Sequence, residues 1–358
     1  MQAVILVGGE GTRLRPLTSL RPKPIITLVD RPFLVYMLEW LRGHGVDDVI
    51  LSCGFLPTQI EAELGDGSAL GITLRYAVEP EPRGTAGALK FCEELLDERF
   101  LMLNGDVLTD VDISAQLAQH QASGATGTLG LVPVEDPSAY GLVLLNEDRS
   151  VAGFLEKPAP EQLEGVDEYL ISAGIYVLER EITDLIEPDQ KVSIEHVIWP
   201  QLAEAGTLFG YAAREAYWMD IGTPDRYLQG SFDILTGAVT TDVTTTIGSS
   251  NVLEPSLVDE TALIAADAVV GPLAVVGPGV RVAQGARIER AVVLEGAHIG
   301  ADAVINDSVV APGASIGAGS TIRGQTIVGE NATVGAGHHL ADAAKIDPGA
   351  ELPDREMI

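Results

Sequence analysis

The sequence predicts two domains of different class: an α/β, Rossmann-like domain with a mostly parallel sheet, followed by a parallel β-helix of hexapeptide repeats. Short apolar runs alternate with helical patterns up to about residue 235, and a glycine-rich loop follows the first of these runs. Beyond residue 250, apolar residues recur every six positions. We therefore expect a first domain at residues 1–235, a linker at 236–250 and a second domain at 251–358.

Each element of the first domain is predicted from its hydrophobic period. The apolar runs AVILV, DVILSCGF, ITLRYAVE and RFLMLNGD predict strands, and FLVYMLEWLRGHG, TQIEAELG and TAGALKFCEELL predict helices between them. Four more strands are predicted at ATGTLGLVPV, YGLVLLN, VAGFLEK and SAGIYVLE, and a helix at SIEHVIWPQLAEAG. This alternation is typical of a sheet covered by helices.

The second domain is predicted from its period of six. Apolar positions run in steps of six from Val252 to Leu294, slip by one to Ile299 and again to Val310, and then continue to Ile346. Neither a helix, with a period of 3.6, nor a strand, with a period of 2, produces this pattern. The pattern resembles left-handed hexapeptide helices, so we expect a C-terminal left-handed β-helix.

Composition excludes several classes of function. The formal net charge of -30 disfavours binding to nucleic acid or to an anionic membrane. No apolar run approaches the roughly 18 residues of a membrane span, and the first run is interpreted as a strand. Cys53 and Cys92 form neither a disulfide framework nor a metal-ligand spacing. A cytoplasmic protein is expected.

The loop after the first predicted strand is suited to phosphate binding. Gly8, Gly9 and Gly11 let backbone N–H groups approach an anion, and Arg13 and Lys23 follow closely. Neither a dinucleotide fingerprint nor a P-loop fits this glycine spacing. The loop therefore predicts a polyphosphate site, with a solvated loop of scattered basic residues as the alternative.

Two distant carboxylates suggest a metal site. Asp106 ends the apolar run LMLNGD, and Asp220 lies in WMDIGTP. Two carboxylates completed by phosphate oxygens suit Mg²⁺, which keeps few protein ligands. The alternative is that Asp106 is a turn residue and Asp220 a helix N-cap.

The stretch GGEGTRLRPLTSLRPKP resembles the signature of sugar-1-phosphate nucleotidylyltransferases. The resemblance extends through NGD at 104–106, FLEKP at 154–158 and WMDIGTP at 218–224. It implies a Rossmann-like nucleotidyltransferase domain, a nucleoside triphosphate and a sugar 1-phosphate as substrates, and release of pyrophosphate. It implies that Asp106 and Asp220 bind Mg²⁺. It further implies phosphate contacts at Arg13, Lys23 and Lys157, nucleotide contacts at Leu6, Gly8, Gly9, Gly11, Thr12, Gly84, Thr85 and Asp106, and sugar-phosphate contacts at Gly141, Glu156, Lys157 and Ser172.

Within this family, the stretch RGTAGAL is similar to mannose-1-phosphate guanylyltransferases, which favours GTP and mannose 1-phosphate. The alternative is a glucose-1-phosphate nucleotidylyltransferase that uses dTTP, UTP or ATP. Ser172 stands where the family usually has Asn, and its shorter side chain leaves the choice of sugar open.

Two further alternatives come from other classes of protein. A non-catalytic regulatory subunit could retain this architecture, although the basic and acidic positions of the motifs are all present. A bifunctional acyltransferase could use His298, His338 or His339 of the repeats. We also expect a homo-oligomer, because the flat faces of a β-helix offer regular surfaces for association.

Overall fold

The computed structural model describes residues 1–138, 140–246, 248 and 251–355. The chain divides into two compact units. Unit 1 comprises Met1–Gly9 and Met37–Trp218, and unit 2 comprises Glu10–Tyr36 together with the chain from Met219 onward. Among the described helices, none is long and apolar enough to cross a membrane.

The first 236 residues alternate strands and helices, as their hydrophobic periods predict. In chain order the elements are β1 (Gln2–Leu6), β2 (Thr27–Leu28), β3 (Arg31–Pro32), α1 (Phe33–Gly43), β4 (Asp48–Cys53), α2 (Pro57–Leu64), β5 (Thr73–Val78), α3 (Gly84–Phe91), β6 (Arg99–Asn104), β7 (Val107–Thr109), α4 (Ile113–Ser123), β8 (Gly127–Pro133), β9 (Gly141–Leu145), β10 (Val151–Glu156), β11 (Leu170–Glu179), α5 (Trp199–Glu204), β12 (Leu208–Ala212), β13 (Trp218–Asp220) and α6 (Pro224–Thr236).

Two predicted helices differ in detail. The helix predicted over TAGALKFCEELL ends at Phe91, and a short 3₁₀ turn follows at Glu93–Leu95. The helix predicted over SIEHVIWPQLAEAG begins as a π-helical turn, Ile194–Ile198, directly before α5. Helix α6 reaches Thr236, one residue into the predicted linker.

The main sheet of unit 1 has the order β10-β9-β11-β6-β1-β4-β5, with β8 beside β11 and β12 beside β8. Strands β6, β1, β4 and β5 are parallel neighbours, while β11 runs antiparallel to β6, β8 and β9. Apolar side chains of the sheet and of helices α3 and α5 form one buried core. The parallel part confirms the Rossmann-like prediction, and its register brings the carboxyl ends of β1, β4, β5 and β6 to one edge.

Residues 256–352 of unit 2 form short strands that pair only in parallel among the described residues. Leu263 pairs with Arg281, eighteen positions on, whereas Arg281 pairs with His298, seventeen positions on. The strands are β14 (Ser256–Val258), β15 (Leu263–Ile264), β16 (Val269–Val270), β17 (Ala274–Val276), β18 (Arg281–Val282), β19 (Arg287–Val293), β20 (His298–Ile299), β21 (Val304–Val310), β22 (Ser315–Ile316), β23 (Thr321–Ile322), β24 (Ile327–Val328), β25 (Thr333–Val334), β26 (His339–Leu340), β27 (Lys345–Ile346) and β28 (Glu351–Leu352).

The hexad positions supply the core of these repeats, with one correction to the predicted phase. Ile288, Ile299, Ile305 and the later hexad positions lie in one apolar cluster. The cluster contains Val293, whereas the sequence analysis assigned this position to Leu294. The slip occurs one hexad early, between Ile288 and Val293, because β19 is a long strand that continues through Val293, with a left-handed residue, Arg290, within it.

Candidate active site

Three strands of unit 1 bring four predicted sugar-phosphate residues to one place, which we call the β9–β11 corner (Tyr140, Gly141, Glu156, Lys157 and Ser172). Gly141 pairs with Glu156 across β9 and β10. Ile171 of β11 pairs with Leu142, so the neighbouring Ser172 reaches the same end of the sheet. A Cβ at Gly141 would lie 3.0 Å from Oε2 of Glu156, so the glycine leaves space beside that carboxylate.

Lys157 directly follows β10 at this corner and has an unusual backbone conformation. Its φ is +43°, in the left-handed region, and its N–H donates to the carbonyl of Tyr140 at 3.0 Å. The side chains of Glu156 and Lys157 are both exposed. The corner therefore presents one carboxylate and one ammonium group side by side to solvent.

Ser172 has an internal partner. Its hydroxyl lies 3.0 Å from the hydroxyl of Tyr176, and it accepts from the N–H of Gly174 at 3.3 Å. Burial raises the pKa of Tyr176 well above its usual value, and the negative charges of Glu195 and Asp106 raise it further. The phenol therefore stays protonated at neutral pH and can donate to Ser172, which leaves the serine hydrogen free to donate elsewhere.

A bulge in β11 forms the floor of the corner. Ser172 pairs with Leu131 and Tyr176 with Leu129, so four positions of β11 oppose two of β8. Gly174 has φ +69°, and a Cβ there would lie 2.7 Å from Nδ2 of Asn104. Only glycine fits against the end of β6 at this point.

Two aromatic residues complete the corner. Trp218 Nε1 donates to the carbonyl of Ala173 at 2.9 Å, and the Trp218 ring stands edge-on to Tyr140 with 6.2 Å between centroids. The sequence analysis gave no role to either aromatic side chain. Trp218 stands directly before Met219 and Asp220 in the quoted motif. Its position close to a predicted metal ligand could have indicated a role for Trp218 in the site.

The ends of β1, β4 and β5 meet around a buried carboxylate. A Cβ at Gly8 would lie 3.5 Å from the backbone nitrogen of Gly54 and 3.7 Å from Oε1 of Glu79. Glu79 is 8% exposed and accepts from the hydroxyl of Ser52 at 2.8 Å and from the N–H of Arg83 at 3.1 Å. The sequence analysis assigned Glu79 no role. The hydrogen bonds of Glu79 connect the loop before α3 to β4, next to Gly8 of the predicted phosphate loop.

The N-terminal end of α3 carries Gly84 and Thr85, which were predicted to bind nucleotide. A Cβ at Gly84, where φ is +70°, would lie 2.6 Å from the carbonyl oxygen of Val192. The hydroxyl of Thr85 donates to Glu195 at 2.8 Å and accepts from the N–H of Ile194 at 2.8 Å. The space beside the Cα of Gly84 and the hydroxyl of Thr85 are therefore both occupied by contacts with the segment at 190–195.

Asp106 lies just beyond the end of β6 and is half-buried. The N–H of Gly105 donates to the carbonyl of Leu6 at 3.0 Å, and a Cβ at Gly105 would lie 2.6 Å from Cγ1 of Val7. Leu6, Gly105 and Asp106 are therefore held together where β1 and β6 end. This is the edge at which open α/β sheets bind ligands.

In unit 2, the N-terminal loop segment (Glu10–Tyr36) carries the other predicted phosphate contacts. Gly11 has φ +62°, and a Cβ there would lie 3.1 Å from the Cβ of Lys23. The hydroxyl of Thr18 donates to the carbonyl of Gly11 at 2.8 Å. Lys23 is 8% exposed, whereas Thr12 and Arg13 are exposed. The turn thus brings Gly11 and Lys23 into contact and leaves Arg13 on the surface.

Asp220 also lies in unit 2, where its carboxylate forms an ion pair with Arg226 in the first turn of α6. A Cβ at Gly222 would lie 2.9 Å from Nη2 of Arg13 and 3.0 Å from Oδ2 of Asp220. Gly222 therefore lies close to both the guanidinium of Arg13 and the carboxylate of Asp220. The sequence analysis did not foresee Arg226 as a partner of Asp220.

Comparison with known protein families identifies the chain. The family model described as "Nucleotidyl transferase" matches residues 2–237. The chain belongs to the nucleotidyl transferase family. A second model, "GMPPB C-terminal domain", matches residues 252–353 of this nucleotidyl transferase.

The relatives of the nucleotidyl transferase include curated enzymes. It is 40% identical over 243 residues to the mannose-1-phosphate guanylyltransferase of Mycobacterium tuberculosis, a match that covers 66% of this chain and 65% of the relative. It is 34% identical to the mannose-1-phosphate guanyltransferase of Gibberella zeae across 100% of this chain and 97% of the relative. For several of these relatives, the match covers less than two thirds of the relative's length.

Among solved structures, HddC from Yersinia pseudotuberculosis is similar to the nucleotidyl transferase with a TM-score of 0.57 and 27% identity, over 65% of this chain and 99% of HddC. The same protein complexed with GMP-PN gives a TM-score of 0.56.

In the described part of the chain, no three His, Cys, Asp or Glu side chains form a group that could hold a metal ion. Of the three histidines considered for acyl transfer, His338 is 5% exposed and its Nε2 lies 2.7 Å from the carbonyl of Pro353. His298 and His339 are exposed in β20 and β26. These placements give the acyltransferase alternative no support.

Proposed function

We propose that this chain transfers a guanylyl group from GTP to mannose 1-phosphate, giving GDP-mannose and pyrophosphate. The observation that carries the proposal is the convergence of Gly141, Glu156, Lys157 and Ser172 at the β9–β11 corner. An exposed ammonium group beside a carboxylate suits a sugar phosphate, because the cation meets the phosphate while the carboxylate accepts from sugar hydroxyls. The names of the matched relatives support the choice of GTP and mannose 1-phosphate.

The reaction requires charge neutralisation more than proton transfer. A phosphate monoester has a second pKa near 6, so the attacking oxygen of the sugar phosphate is already largely ionised at neutral pH. It attacks the α-phosphorus of GTP and displaces pyrophosphate. In this proposal Lys157 binds the sugar phosphate, Lys23 faces the nucleotide phosphates and Arg13 stabilises the departing pyrophosphate.

We assign the Mg²⁺ site to Asp106 and Asp220, because two carboxylates form a hard oxygen donor set that suits this ion. Asp106 and Asp220 would hold the ion, and the ion pair with Arg226 holds the carboxylate of Asp220 in place. Once bound, Mg²⁺ supplies positive charge to phosphate oxygens.

The decisive experiment measures pyrophosphate release with Mg²⁺ for every pairing of GTP, dTTP, UTP and ATP with mannose 1-phosphate and glucose 1-phosphate. We expect GTP with mannose 1-phosphate to give the largest kcat/KM. Asp220→Asn removes a negative charge at constant size and should reduce the rate at least a hundredfold. Asp225→Asn, at an exposed acid in the first turn of α6, is the matched control.

Each alternative outcome has a clear meaning. A preference for another pair, such as dTTP with glucose 1-phosphate, contradicts the guanylyltransferase assignment. It leaves the proposed nucleotidylyl transfer with release of pyrophosphate unchanged. Equal rates for Asp220→Asn and Asp225→Asn contradict the metal assignment. If the parent protein releases no pyrophosphate with any of the eight pairs, the result favours a non-catalytic subunit.

For the C-terminal residues we propose a left-handed parallel β-helix, with the domain division at residues 1–235, 236–250 and 251–358. The parallel pairing at intervals of seventeen or eighteen residues, about three hexads, supports one coil per interval. We further propose a homo-oligomer. Sedimentation that gives only the monomer mass at micromolar concentration contradicts it.

A reducing, cytoplasmic environment is the remaining part of the proposal. Cys53 and Cys92 are buried free thiols. Burial raises the pKa of Cys53 to about 12 and that of Cys92 to about 11, so both stay protonated and unreactive at neutral pH.

A further inference from the structure

The N-terminal loop segment makes several long-range contacts within unit 2, although the sequence analysis assigned it to the first domain. Arg21 Nε donates to Oε2 of Glu330 at 3.1 Å, across more than three hundred positions of sequence. Glu330 lies in the turn between β24 and β25 of the repeats. The ion pair thus links the segment that carries Arg13 and Lys23 to a turn of the C-terminal repeats.

Apolar packing accompanies this ion pair. Leu17 is 9% exposed, and Leu294 and Ala311 are 5% and 1% exposed. A small groove of about 20 Å³, with room for about one water molecule, lies between these side chains. Its apolar lining comes from both parts of unit 2: Pro16, Leu17, Leu20 and Ile26 of the segment, Tyr227 of α6, and Leu294, Ala311 and Pro312 of the repeats.

Two further contacts hold the same segment. The hydroxyl of Tyr227, in α6, donates to the carbonyl of Thr27 at 2.5 Å. Lys345 Nζ, in β27, lies 3.5 Å from the carbonyl of Arg13 itself. Leu14, the next residue, is fully buried. The segment is therefore fixed on both sides of the turn that presents Arg13.

We propose that Arg21 and Glu330 are positioning residues through which the C-terminal repeats hold Arg13 and Lys23 in their reactive places; this inference rests on the proposed function. In this proposal neither residue contacts the reacting atoms. Their role is to fix the loop, because a displacement of about 1 Å in a phosphate-binding cation can reduce a rate on the order of a hundredfold. An exposed ion pair of this kind contributes little to folding.

The first test is the charge reversal Glu330→Arg, which places two guanidinium groups in apposition. We expect kcat for pyrophosphate release to fall about tenfold, with the KM for mannose 1-phosphate and the melting temperature unchanged. The matched control is Glu260→Arg, at an exposed acid in an early repeat. The double variant Arg21→Glu with Glu330→Arg restores the opposite charges and should recover kcat to within about threefold of the parent.

A second test does not depend on activity. Every other basic residue of residues 10–24 precedes a proline, so Arg13–Leu14 is the one bond in that stretch that trypsin can cleave. Burial of Leu14 protects it. We expect faster cleavage after Arg13 in Glu330→Arg, parental cleavage in Glu260→Arg, and restored protection in the double variant.

The two tests separate this inference from the proposed function. Unchanged kcat in Glu330→Arg, or a tenfold fall that the double variant fails to recover, overturns the positioning role. Unchanged cleavage in Glu330→Arg overturns the anchoring of the segment. An inactive parent whose cleavage still responds to Glu330→Arg contradicts the proposed function but supports the anchoring.

Discussion

The β9–β11 corner and the N-terminal end of α3 were both predicted to bind substrate, and the structure uses their residues differently. At the corner, Glu156 and Lys157 are exposed, and the space beside Gly141 opens towards Glu156. At α3, the segment at 190–195 occupies the space beside Gly84 and both hydrogen-bonding positions of Thr85. A glycine therefore marks a close approach without identifying the approaching group.

The largest difference should appear when Lys157 is changed. Lys157→Met keeps the length of the side chain and removes its charge, so kcat/KM should fall by about 10²–10³. The free energy of unfolding should stay the same, because the side chain is exposed and the left-handed backbone is retained. Lys191→Met, at an exposed lysine beside Gln190, is the matched control and should keep full activity. Similar rates for the two variants would remove the corner from the proposed site.

The next largest effect is expected at Gly84, and on stability. Gly84→Ala places a Cβ 2.6 Å from the carbonyl of Val192 at a positive φ, so the free energy of unfolding should fall by about 2–3 kcal/mol in denaturant titrations. Gly153→Ala is the control, since a Cβ there meets nothing within 4 Å. Equal stability of the two variants would show that α3 and the segment at 190–195 separate readily. That result would contradict the difference drawn between the N-terminal end of α3 and the β9–β11 corner.

Thr85→Val should have an intermediate effect. It leaves the N–H of Ile194 without its acceptor and removes one hydroxyl donor from Glu195, which keeps the bond from Ser193, so the free energy of unfolding should fall by about 1–2 kcal/mol. Thr85→Ser keeps the hydroxyl and should recover most of this loss. We expect the KM for GTP to change by less than about threefold, since the hydroxyl is engaged within the protein. A large rise in that KM at parental stability would favour the nucleotide contact that the sequence predicted.

The smallest effect is expected at Gly141. Gly141→Ala places a Cβ 3.0 Å from Oε2 of Glu156, the far end of a flexible side chain, so the change in free energy of unfolding should stay below about 0.5 kcal/mol. The KM for mannose 1-phosphate should rise several-fold because Glu156 must move. The KM for GTP serves as the internal control. If both KM values rise equally, Gly141 is not specific to the sugar phosphate.

Much of the fold was predictable because hydrophobic period determines each element locally. The strands β1, β4, β5 and β6 and the hexads of the repeats follow directly from this period. The slip to Val293 in place of Leu294 was not predictable, since both residues are apolar and only the backbone turn at Arg290 decides which faces inward.

The candidate site could be proposed from the sequence as a set of residues but not as a set of contacts. Motifs supplied Glu156, Lys157 and Asp220, whereas Arg226 and Glu330 came only from the structure. Glu330 pairs with Arg21 from more than three hundred positions away, and no local pattern relates two such residues. An acidic chain with 52 carboxylates offers too many possible partners for each cation.

The interval of the parallel pairs constrains how the length of this chain can change during evolution. Because Leu263 meets Arg281 and Thr333 meets Glu351 eighteen positions on, a duplication of one whole interval adds a layer and leaves every other layer in register. Insertion of a single residue would instead turn the following apolar positions outward. The shortened intervals at β19 and β21 lie where α6 packs, with Arg290 stacked 4.8 Å over Phe232. Homologues should therefore vary by whole layers at the C-terminal end and keep their length beside α6.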